Sequence, residues 1–309
     1  MQKPIDPLAV AIIVLCCALW GIQQVAVKVA VVQGLPPLFQ AGARSLVAAG
    51  LLATWTALRS GRRGLAAMLA VDRATPACLM IGAMFAGEFL TLFPGLRLTT
   101  ASRGVIFLYT APFFTALGAH LLLPAERLGR RQALGLAIAF AGVAAAFADG
   151  LGAPGGSMAG DALCLAAGAL WGTTTVMMKA SPALMRLSAS RVLFVQLAYS
   201  APVLIAVAAI AGEWHVGQAS ALAWSAWFYQ TFVVAFASYL AWVWLIQRHA
   251  ASRIAGFTFL TPLFGILAGV LLLGERFSPW VLVGLAAIAV GLRLLTGPSA
   301  ASRAAATAD

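Results

Sequence analysis

Long apolar segments alternate with short polar stretches along almost the whole chain. Clusters of proline, glycine and charged residues separate ten such segments. Each segment has the length of a membrane span, because a helix needs about 20 mostly apolar residues to cross a bilayer. The predicted spans are 8–32, 36–58, 76–97, 101–123, 130–148, 161–180, 185–211, 222–247, 252–273 and 279–297.

The composition favours a membrane environment. The 309 residues are 62% hydrophobic and only 9% charged, with a mean hydropathy of +0.95. Soluble domains are nearer half apolar and about one-quarter charged. So few charges cannot cover the surface of a globular protein in water. The chain is therefore predicted to be an all-α integral membrane protein that lies in the lipid bilayer.

The net charge of +11 does not indicate nucleic-acid binding, because the basic residues are scattered over short connectors and helix ends. Alternate connectors are rich in arginine: Arg59, Arg62, Arg63 and Arg73 after the second segment, Arg127, Arg130 and Arg131 after the fourth, Arg186 and Arg191 before and in the seventh, and Arg248 and Arg253 after the eighth. Such an excess marks the cytoplasmic side, so both termini are predicted to be cytoplasmic. Arg97, Arg103 and Arg276 oppose this trend without reversing it.

The two halves of the chain resemble each other. Residues 101–123, "ASRGVIFLYTAPFFTALGAHLLL", share ten identities with residues 251–273, "ASRIAGFTFLTPLFGILAGVLLL", among twenty-three aligned positions. "WGIQQVAVK" at 20–28 also matches "WGTTTVMMK" at 171–179. Further matched pairs are Glu126-Arg127 with Glu275-Arg276, Gly135 with Gly284, and Gly142 with Gly291. The predicted units cover residues 1–150 and 151–297, followed by a short cytoplasmic tail at 298–309.

Each unit contains five predicted spans, which is an odd number. The second unit must therefore enter the membrane from the opposite side. This predicts two inverted five-helix repeats, ten transmembrane helices in all, related by an axis in the membrane plane. That architecture suits alternating access to one central site. Since the two units form an internal pseudo-dimer, we expect the protein to be a monomer.

These motifs resemble the EamA-type family of the drug/metabolite transporter superfamily. The resemblance rests on "WG…K" in helices one and six, an arginine in helices two and seven, and the paired patterns "GLRLTTASR…P…LLLPAER…GLAIAFAG" and "ASR…P…LLLGER…GLAAIAVG". It implies a bacterial inner-membrane carrier of small metabolites, often an exporter, whose cavity is lined by helices one, three, four, six, eight and nine. The chain is similar to amino-acid exporters, including the branch for aromatic amino acids, and to carriers of other metabolites.

Glu88 is the leading candidate for a functional residue. It lies halfway along the third segment, in "MFAGEFLTLF", and its counterpart in the second repeat is Ser238. A charge at this depth costs about 3 kcal/mol on insertion scales, so function is the default interpretation. Glu88 could bind a substrate ammonium group or a proton. The alternative is a neutral Glu88 hydrogen-bonded to Thr91 one turn on, or to a hydroxyl on another helix.

Aromatic and hydrogen-bonding residues complete the predicted substrate site. An aromatic side chain beside a hydrogen-bonding group suits an amphipathic ligand, and such pairs occur one turn apart in helices one and six. The alternative for the two tryptophans is packing at a close helix contact beside a glycine. Trp242 is expected to face lipid or the interface. The predicted substrate-binding residues besides Glu88 are Trp20, Gln24, Tyr109, Trp171, Thr175 and Tyr239.

Four basic residues and two prolines are weaker candidates. Arg44 and Arg191 could each bind a substrate carboxylate, although such arginines more often pair with loop carbonyls at the membrane surface. Lys28 and Lys179 are expected to be anchors near helix ends. The prolines each remove a helix hydrogen bond, and they are predicted to be hinges or kinks that fix the cavity shape. They are Pro112 and Pro262.

No enzyme or cofactor motif stands out. The chain has no GxxxxGK[ST] phosphate loop, no HExxH and no GxSxG, and its histidines and cysteines have no metal-ligand spacing. We therefore predict a secondary transporter, without cofactor or metal, that exports small amphipathic metabolites and most readily amino acids. Protons are a candidate coupling ion. The alternatives are a transporter of cationic drugs or other metabolites, a passive facilitator, and a membrane enzyme that uses Glu88.

Overall fold

The structure is a computed structural model, and it describes residues 5–151, 157–214, 216–274 and 278–296. Within these ranges it consists of helices and connectors, with no strand. The ten long helical segments are α1 Pro7–Val32, α2 Pro37–Leu69, α3 Thr75–Leu98, α4 Ala101–Leu122, α5 Arg130–Ala146, α6 Met158–Ala180, α7 Ala189–Ile210, α8 Ala221–Arg248, α9 Ala251–Leu273 and α10 Trp280–Thr296. Short helical turns at Pro124–Glu126, Ala148–Leu151 and Pro182–Met185 lie in connectors.

The all-α prediction is confirmed, and the predicted segments coincide with these helices to within a few residues, except at the end of α2. That helix was predicted to end at residue 58, but it continues to Leu69. Arg59, Arg62 and Arg63 therefore lie in a helix and not in a loop. Gly61 adopts a φ of +62°, which only glycine takes readily, and it kinks α2 between the membrane segment and its polar extension.

Eight of the helices, α1 to α4 and α6 to α9, are long and apolar enough to cross a membrane by length and composition. The remaining two, α5 and α10, have 17 residues each. They pack against each other. Gly135 lies opposite Gly291 and Gly142 lies opposite Gly284, so the two helices run antiparallel. The chain is therefore a multi-pass membrane protein.

The α5–α10 contact is reciprocal. A Cβ atom added to Gly142 would lie 2.8 Å from the carbonyl oxygen of Gly284, and one added to Gly284 would lie 2.6 Å from that of Gly142. The same holds between Gly135 and Gly291, at 2.7 and 2.5 Å. Helices in lipid associate by close backbone approach at small residues. These four glycines therefore hold the two helices together.

The other helix contacts follow the same reciprocity. Helix α3 packs against α6, and its counterpart α8 packs against α1. Helix α4 packs against α6, and its counterpart α9 packs against α1. Helix α2 packs against its own counterpart, α7. Exchanging the first five helices with the last five thus converts these contacts into one another.

Helices α4 and α9 are interrupted at matching positions. Regular helix stops at Leu108 in α4 and resumes at Ala111, just before Pro112. In α9 a 3-10 turn at Thr258–Leu260 precedes Pro262. Proline lacks the N–H of a helical hydrogen bond, and its ring crowds the carbonyl four residues earlier. The kinks predicted from sequence therefore lie one turn before each proline.

The connectors lie on two faces of the bundle. On one face the N–H of Ser220 donates to the carbonyl of Gln33 at 3.1 Å, which joins the α7–α8 and α1–α2 connectors. On the opposite face the N–H of Ala251 donates to Glu126 Oε2 at 2.7 Å, which joins the α8–α9 and α4–α5 connectors. These two contacts place the α1–α2 and α7–α8 connectors on one face and the α4–α5 and α8–α9 connectors on the other.

Two of the three arginines that oppose the charge trend, Arg97 and Arg103, are paired with acids. Arg97 forms an ion pair with Glu213, and Arg103 forms one with Asp161. These pairs neutralise the arginines locally, so the excess positive charge belongs to the opposite face. Three predicted features lie outside the described residues: the Glu275–Arg276 match, the position of Arg276, and the tail at 298–309.

Candidate functional site

A cavity of about 740 Å³ lies at the centre of the bundle. It reaches Val32, Leu96 and Leu273, which lie at the helix ends on the same face as the Gln33–Ser220 contact. We call this face the open face. Beyond its other end the side chains of Cys17 and Ile246 are completely buried. The cavity therefore stops short of the opposite face, called the closed face. Its size and depth suit a small-molecule ligand.

The predicted substrate-binding residues all line this one cavity. They come from α1, α3, α4, α6 and α8, as the resemblance implied, and α2, α7 and α9 also contribute to the wall. Of the two prolines, Pro262 lines the cavity, whereas Pro112 is buried outside the lining. That these residues bind a substrate stays a prediction. They are Trp20, Gln24, Glu88, Tyr109, Trp171, Thr175 and Tyr239.

Trp20 is the centre of an aromatic cluster. Its ring lies edge-to-face with those of Trp171, Tyr239 and Trp242, at centroid distances of 6.3, 6.2 and 5.4 Å. The expectation that Trp242 faces lipid is wrong, since its side chain is only 6% exposed and lines the cavity. Because the residues around Trp242 in α8 are mostly apolar, they do not mark which side of the helix packs inward.

Close helix packing accompanies the tryptophans, as the alternative interpretation proposed. A Cβ atom on Gly21 would lie 2.6 Å from the backbone nitrogen of Gly265 in α9. One on Gly172 would lie 2.5 Å from the carbonyl oxygen of Ala111 in α4. The glycine beside each tryptophan thus lets a helix approach closely, while the tryptophan ring itself lines the cavity.

Hydrogen bonds fix two of the polar candidates. Gln24 Nε2 donates to the hydroxyl of Tyr109 at 3.2 Å, which links α1 to the break in α4. The Thr175 hydroxyl donates to the carbonyl of Trp171 at 3.1 Å, within its own helix. Both residues therefore belong to the cavity wall formed by α1, α4 and α6.

The carboxylate of Glu88 accepts no hydrogen bond from any residue that the structure describes, and it forms no ion pair within 4.0 Å of such a residue. The hydroxyl of Thr91 donates to the backbone carbonyls of Gly87 and Glu88, at 2.9 and 3.1 Å. The predicted alternative, a side-chain hydrogen bond between Thr91 and Glu88, is therefore absent. The carboxylate is left to interact with the contents of the cavity.

Arg44 lies in the cavity wall and not at the surface. Its side chain is 2% exposed, and its guanidinium carbon is 4.8 Å from the centre of the Phe89 ring. Nε and Nη2 have no hydrogen-bond partner among the described residues. Arg191, the predicted counterpart, instead pairs with a loop, since it donates to the carbonyl of Ala70 at 2.9 Å and to Asp72 at 2.7 Å.

Three buried glutamines also line the cavity, and the sequence analysis did not single them out. Gln230 Nε2 donates to Gln40 Oε1 at 2.8 Å, and Gln40 Nε2 donates to the carbonyl of Leu35 at 2.7 Å. The Oε1 atoms of Gln196 and Gln230 have no partner in the described part of the chain. Uncharged amides inside apolar segments are the signal that could have revealed them, by the reasoning used for Glu88.

Helix α8 contains a π-helical stretch at Gln230–Ser238, whereas its counterpart α3 is a regular α-helix around Glu88. Such stretches are rare and are frequent at functional sites. The stretch ends at Ser238, which therefore occupies a different backbone environment from Glu88. The two halves of the bundle thus differ in the wall of the cavity.

A buried polar network seals the closed face. Lys179 Nζ donates to the carbonyls of Ile246 and His249 at 2.8 and 2.6 Å, and it lies 3.8 Å from Glu126 Oε1. Glu126 Oε2 accepts the hydrogen bond from Ala251. Lys179 lies near the end of α6, as expected, and its ammonium group ties this helix to two connectors. Lys28, its counterpart, lines the open end of the cavity.

Two groups in the connectors of the closed face have shifted pKa values. A hydrogen bond from Arg191 lowers the pKa of Asp72. Burial lowers the pKa of His249, although Asp6, at 4.0 Å, favours its protonation. In the described ranges no three histidine, cysteine or acidic side chains are grouped so that they could hold a metal ion. The four cysteines are unpaired and buried, which agrees with a packing role.

The helical bundle and its central cavity are those of a multi-pass membrane transporter. The model of the EamA-like transporter family matches residues 7–148 and again residues 158–297, so the chain belongs to this family. It is a transporter and not an enzyme. The family suspected from the sequence motifs is thereby confirmed.

Three curated relatives are similar along most of their length. A "probable amino-acid metabolite efflux pump" of Salmonella typhimurium is 29% identical, over 90% of this chain and 91% of the relative. A protein of the same description from Escherichia coli is 27% identical, over 90% and 91%. The "uncharacterized transporter YvbV" of Bacillus subtilis is 30% identical, over 93% and 91%. A solved crystal structure with 18% identity superposes with a TM-score of 0.75, over 93% of this chain and 98% of that one, and shows the same fold.

Proposed function

We propose that this protein is a secondary transporter that exports small amphipathic metabolites, and amino acids in particular, across the bacterial inner membrane. The observation that carries this proposal is the combination of Glu88 with an aromatic wall in one cavity. A carboxylate without a protein partner suits an ammonium group, and the aromatic rings suit an apolar body. The relatives named as amino-acid metabolite efflux pumps support the same class of substrate.

Alternating access is the mechanism we propose. The reciprocal glycine contacts of α5 with α10 support two inverted five-helix units at 1–150 and 151–297, as do the matched breaks before Pro112 and Pro262. If each unit can take the conformation that the other has, the open face closes and the closed face opens. One central site then serves both sides of the membrane. This mechanism requires all ten helices to span.

The arginine distribution supports an orientation with the closed face and both termini in the cytoplasm. The unpaired surplus of arginine lies at the end of α2 and in the connectors of the closed face, whereas Arg97 and Arg103 are neutralised by acids on the open face. The conformation described here would then be open to the outside, which is the state that releases an exported substrate.

Cationic drugs are the second candidate class of substrate, because Glu88 and the aromatic rings, considered without Arg44, would also suit them. Arg44 argues against them, because a guanidinium in the same wall repels a cation that has no anionic group. A passive facilitator would use the same cavity without a coupled ion. Since the chain has no phosphate loop, we propose an ion gradient as the driving force, with the proton as the first candidate.

Purified protein tests the proposal in two steps. First, thermal unfolding is measured with amino acids, sugars, nucleosides and cationic drugs, and we expect stabilisation by neutral amino acids with large apolar side chains. Second, proteoliposomes are loaded with such an amino acid, and its movement is followed with and without a pH gradient. Accumulation against the amino-acid gradient supports the proposal. Equilibration without accumulation would instead indicate a facilitator, and stabilisation by cationic drugs alone would overturn the substrate class.

A further inference from the structure

Arg44 carries a buried positive charge, and apart from the hydroxyl of Tyr239 the described residues supply it with no hydrogen-bond acceptor. Its side chain is 2% exposed, and neither Nε nor Nη2 has a partner there. A guanidinium group has five N–H donors, and burying it without acceptors is costly. The Phe89 ring, 4.8 Å from the guanidinium carbon, holds the group in place but accepts no conventional hydrogen bond. An anionic ligand in the cavity would supply the missing acceptors.

Glu88 offers the opposite charge on the neighbouring helix α3. Arg44 and Glu88 interact electrostatically, yet their charged atoms are more than 4.0 Å apart. Tyr239, across the cavity on α8, interacts with both of them. The two charges therefore face one cavity without forming an ion pair. A ligand with one positive and one negative group can satisfy both charges at once.

We propose that Arg44 binds the carboxylate of a zwitterionic amino acid while Glu88 binds its ammonium group, with the substrate side chain directed at Trp20 and Trp171. This inference rests on the proposed function and narrows it to zwitterions with apolar side chains. A guanidinium group donates two parallel hydrogen bonds to a carboxylate, which fixes the orientation of the ligand. A cation without a carboxylate leaves Arg44 unpaired, and an acid without an amine leaves Glu88 unpaired.

The unmodified protein provides the first test, because four ligands share one side chain. Phenylalanine has both charges, its methyl ester and phenethylamine lack the carboxylate, and 3-phenylpropionate lacks the ammonium group. Affinity is measured by titration calorimetry in detergent. We expect phenylalanine to bind most tightly and each of the other three to bind about 10- to 100-fold more weakly, the loss of one charge-assisted interaction.

Variants assign the carboxylate to Arg44. Arg44→Gln should weaken phenylalanine binding by about 10- to 100-fold. It should not weaken binding of the methyl ester, whose affinity stays the same or rises because a like charge is removed. Arg191→Gln is the matched control, since Arg191 is the repeat counterpart and pairs with Asp72 on the closed face. It should bind phenylalanine like the unmodified protein. Arg44→Lys keeps the charge without the paired donors and should have an intermediate affinity for phenylalanine. This variant replaces Arg44→Gln in the test if Arg44→Gln does not fold.

Three outcomes distinguish failure of this inference from failure of the proposed function. Equal affinity of the unmodified protein for phenylalanine and its methyl ester would overturn the role of Arg44 and leave amino-acid export in place. The same conclusion follows if Arg44→Gln weakens both ligands equally. If no member of the series binds and cationic drugs do, both the proposed substrate class and the role of Arg44 are wrong.

Discussion

The indole N–H of Trp20 donates a hydrogen bond to the hydroxyl of Ser238 at 2.8 Å, across the contact between α1 and α8. Ser238 stands at the repeat position of Glu88, since 238 − 88 = 150. Trp171 is the counterpart of Trp20, but it forms no hydrogen bond with Glu88. One repeat thus uses this position for packing, and the other leaves a carboxylate facing the cavity.

Replacing Ser238 by alanine should destabilise the protein. The change leaves the indole N–H of Trp20 buried without an acceptor, which costs about 1–3 kcal/mol. We expect a lower midpoint of thermal unfolding in detergent. Ser225→Ala is the matched control on the same helix, because that hydroxyl is exposed and only donates to the carbonyl of Ala221. Equal midpoints for the two variants would contradict this assignment.

Glu88→Gln should weaken the binding of a neutral amino acid by about 1.5–3 kcal/mol, the range for hydrogen bonds to charged groups. Glutamine keeps the size and the hydrogen-bonding capacity of the side chain but removes the charge that holds an ammonium group. Affinity and gradient-driven uptake are measured on the same preparation. If binding is unchanged while accumulation on a pH gradient is lost, Glu88 carries a proton instead. Unchanged binding together with unchanged accumulation would show a packing role only.

The prolines of α4 and α9 are predicted to act in the conformational change. Pro112→Ala and Pro262→Ala each restore a helix hydrogen bond next to a break and should stiffen the helix there. We expect slower transport in proteoliposomes with substrate affinity within a few-fold of the unmodified protein. Pro112 lies outside the cavity lining, so its variant separates hinge motion from substrate contact. Unchanged flux in both variants would leave the prolines as kinks that only shape the helices.

Single cysteines test the orientation. A cysteine at Gly217, in the exposed α7–α8 connector where an added Cβ meets no atom within 4 Å, should react with a membrane-impermeant thiol reagent added outside. A cysteine at Ser60, beside the Gly61 kink of α2, should react only after the membrane is opened. The four native cysteines are buried, so background labelling is low. The reverse pattern of labelling would overturn the proposed orientation.

The stability of the closed face should depend on pH through His249. Burial lowers its pKa, Lys179 and Arg248 lower it further, and Asp6 opposes them. The unfolded chain therefore binds a proton more readily than the folded protein, and stability falls as pH drops from about 6.5 through the folded-state pKa. In His249→Gln, the midpoint of thermal unfolding should vary less with pH over this range. An unchanged pH dependence in this variant would assign the effect to other groups.

The positions of the helices could be read from the sequence. A membrane span needs a long apolar segment, whatever it packs against, so nine of the ten predicted segments agree closely with the structure. The repeat was visible because residues such as Pro112 and Pro262 recur at matched positions, where each follows an interruption of its helix. The sequence also predicted that Glu88 faces the cavity, because a carboxylate within an apolar segment is costly to place in lipid whatever its neighbours are.

Only the tertiary structure decided which side of each helix faces the cavity. Arg44 and Arg191 occupy equivalent places in the sequence, yet Arg44 is buried in the cavity wall with Nε and Nη2 unpaired among the described residues, whereas Arg191 pairs with a loop. Trp242 was expected to face lipid or the interface, but it lines the cavity. In a soluble helix, polar residues mark the outer side, but a helix between lipid and protein is apolar on both sides. The orientation of these side chains is therefore set by contacts with residues distant in the chain.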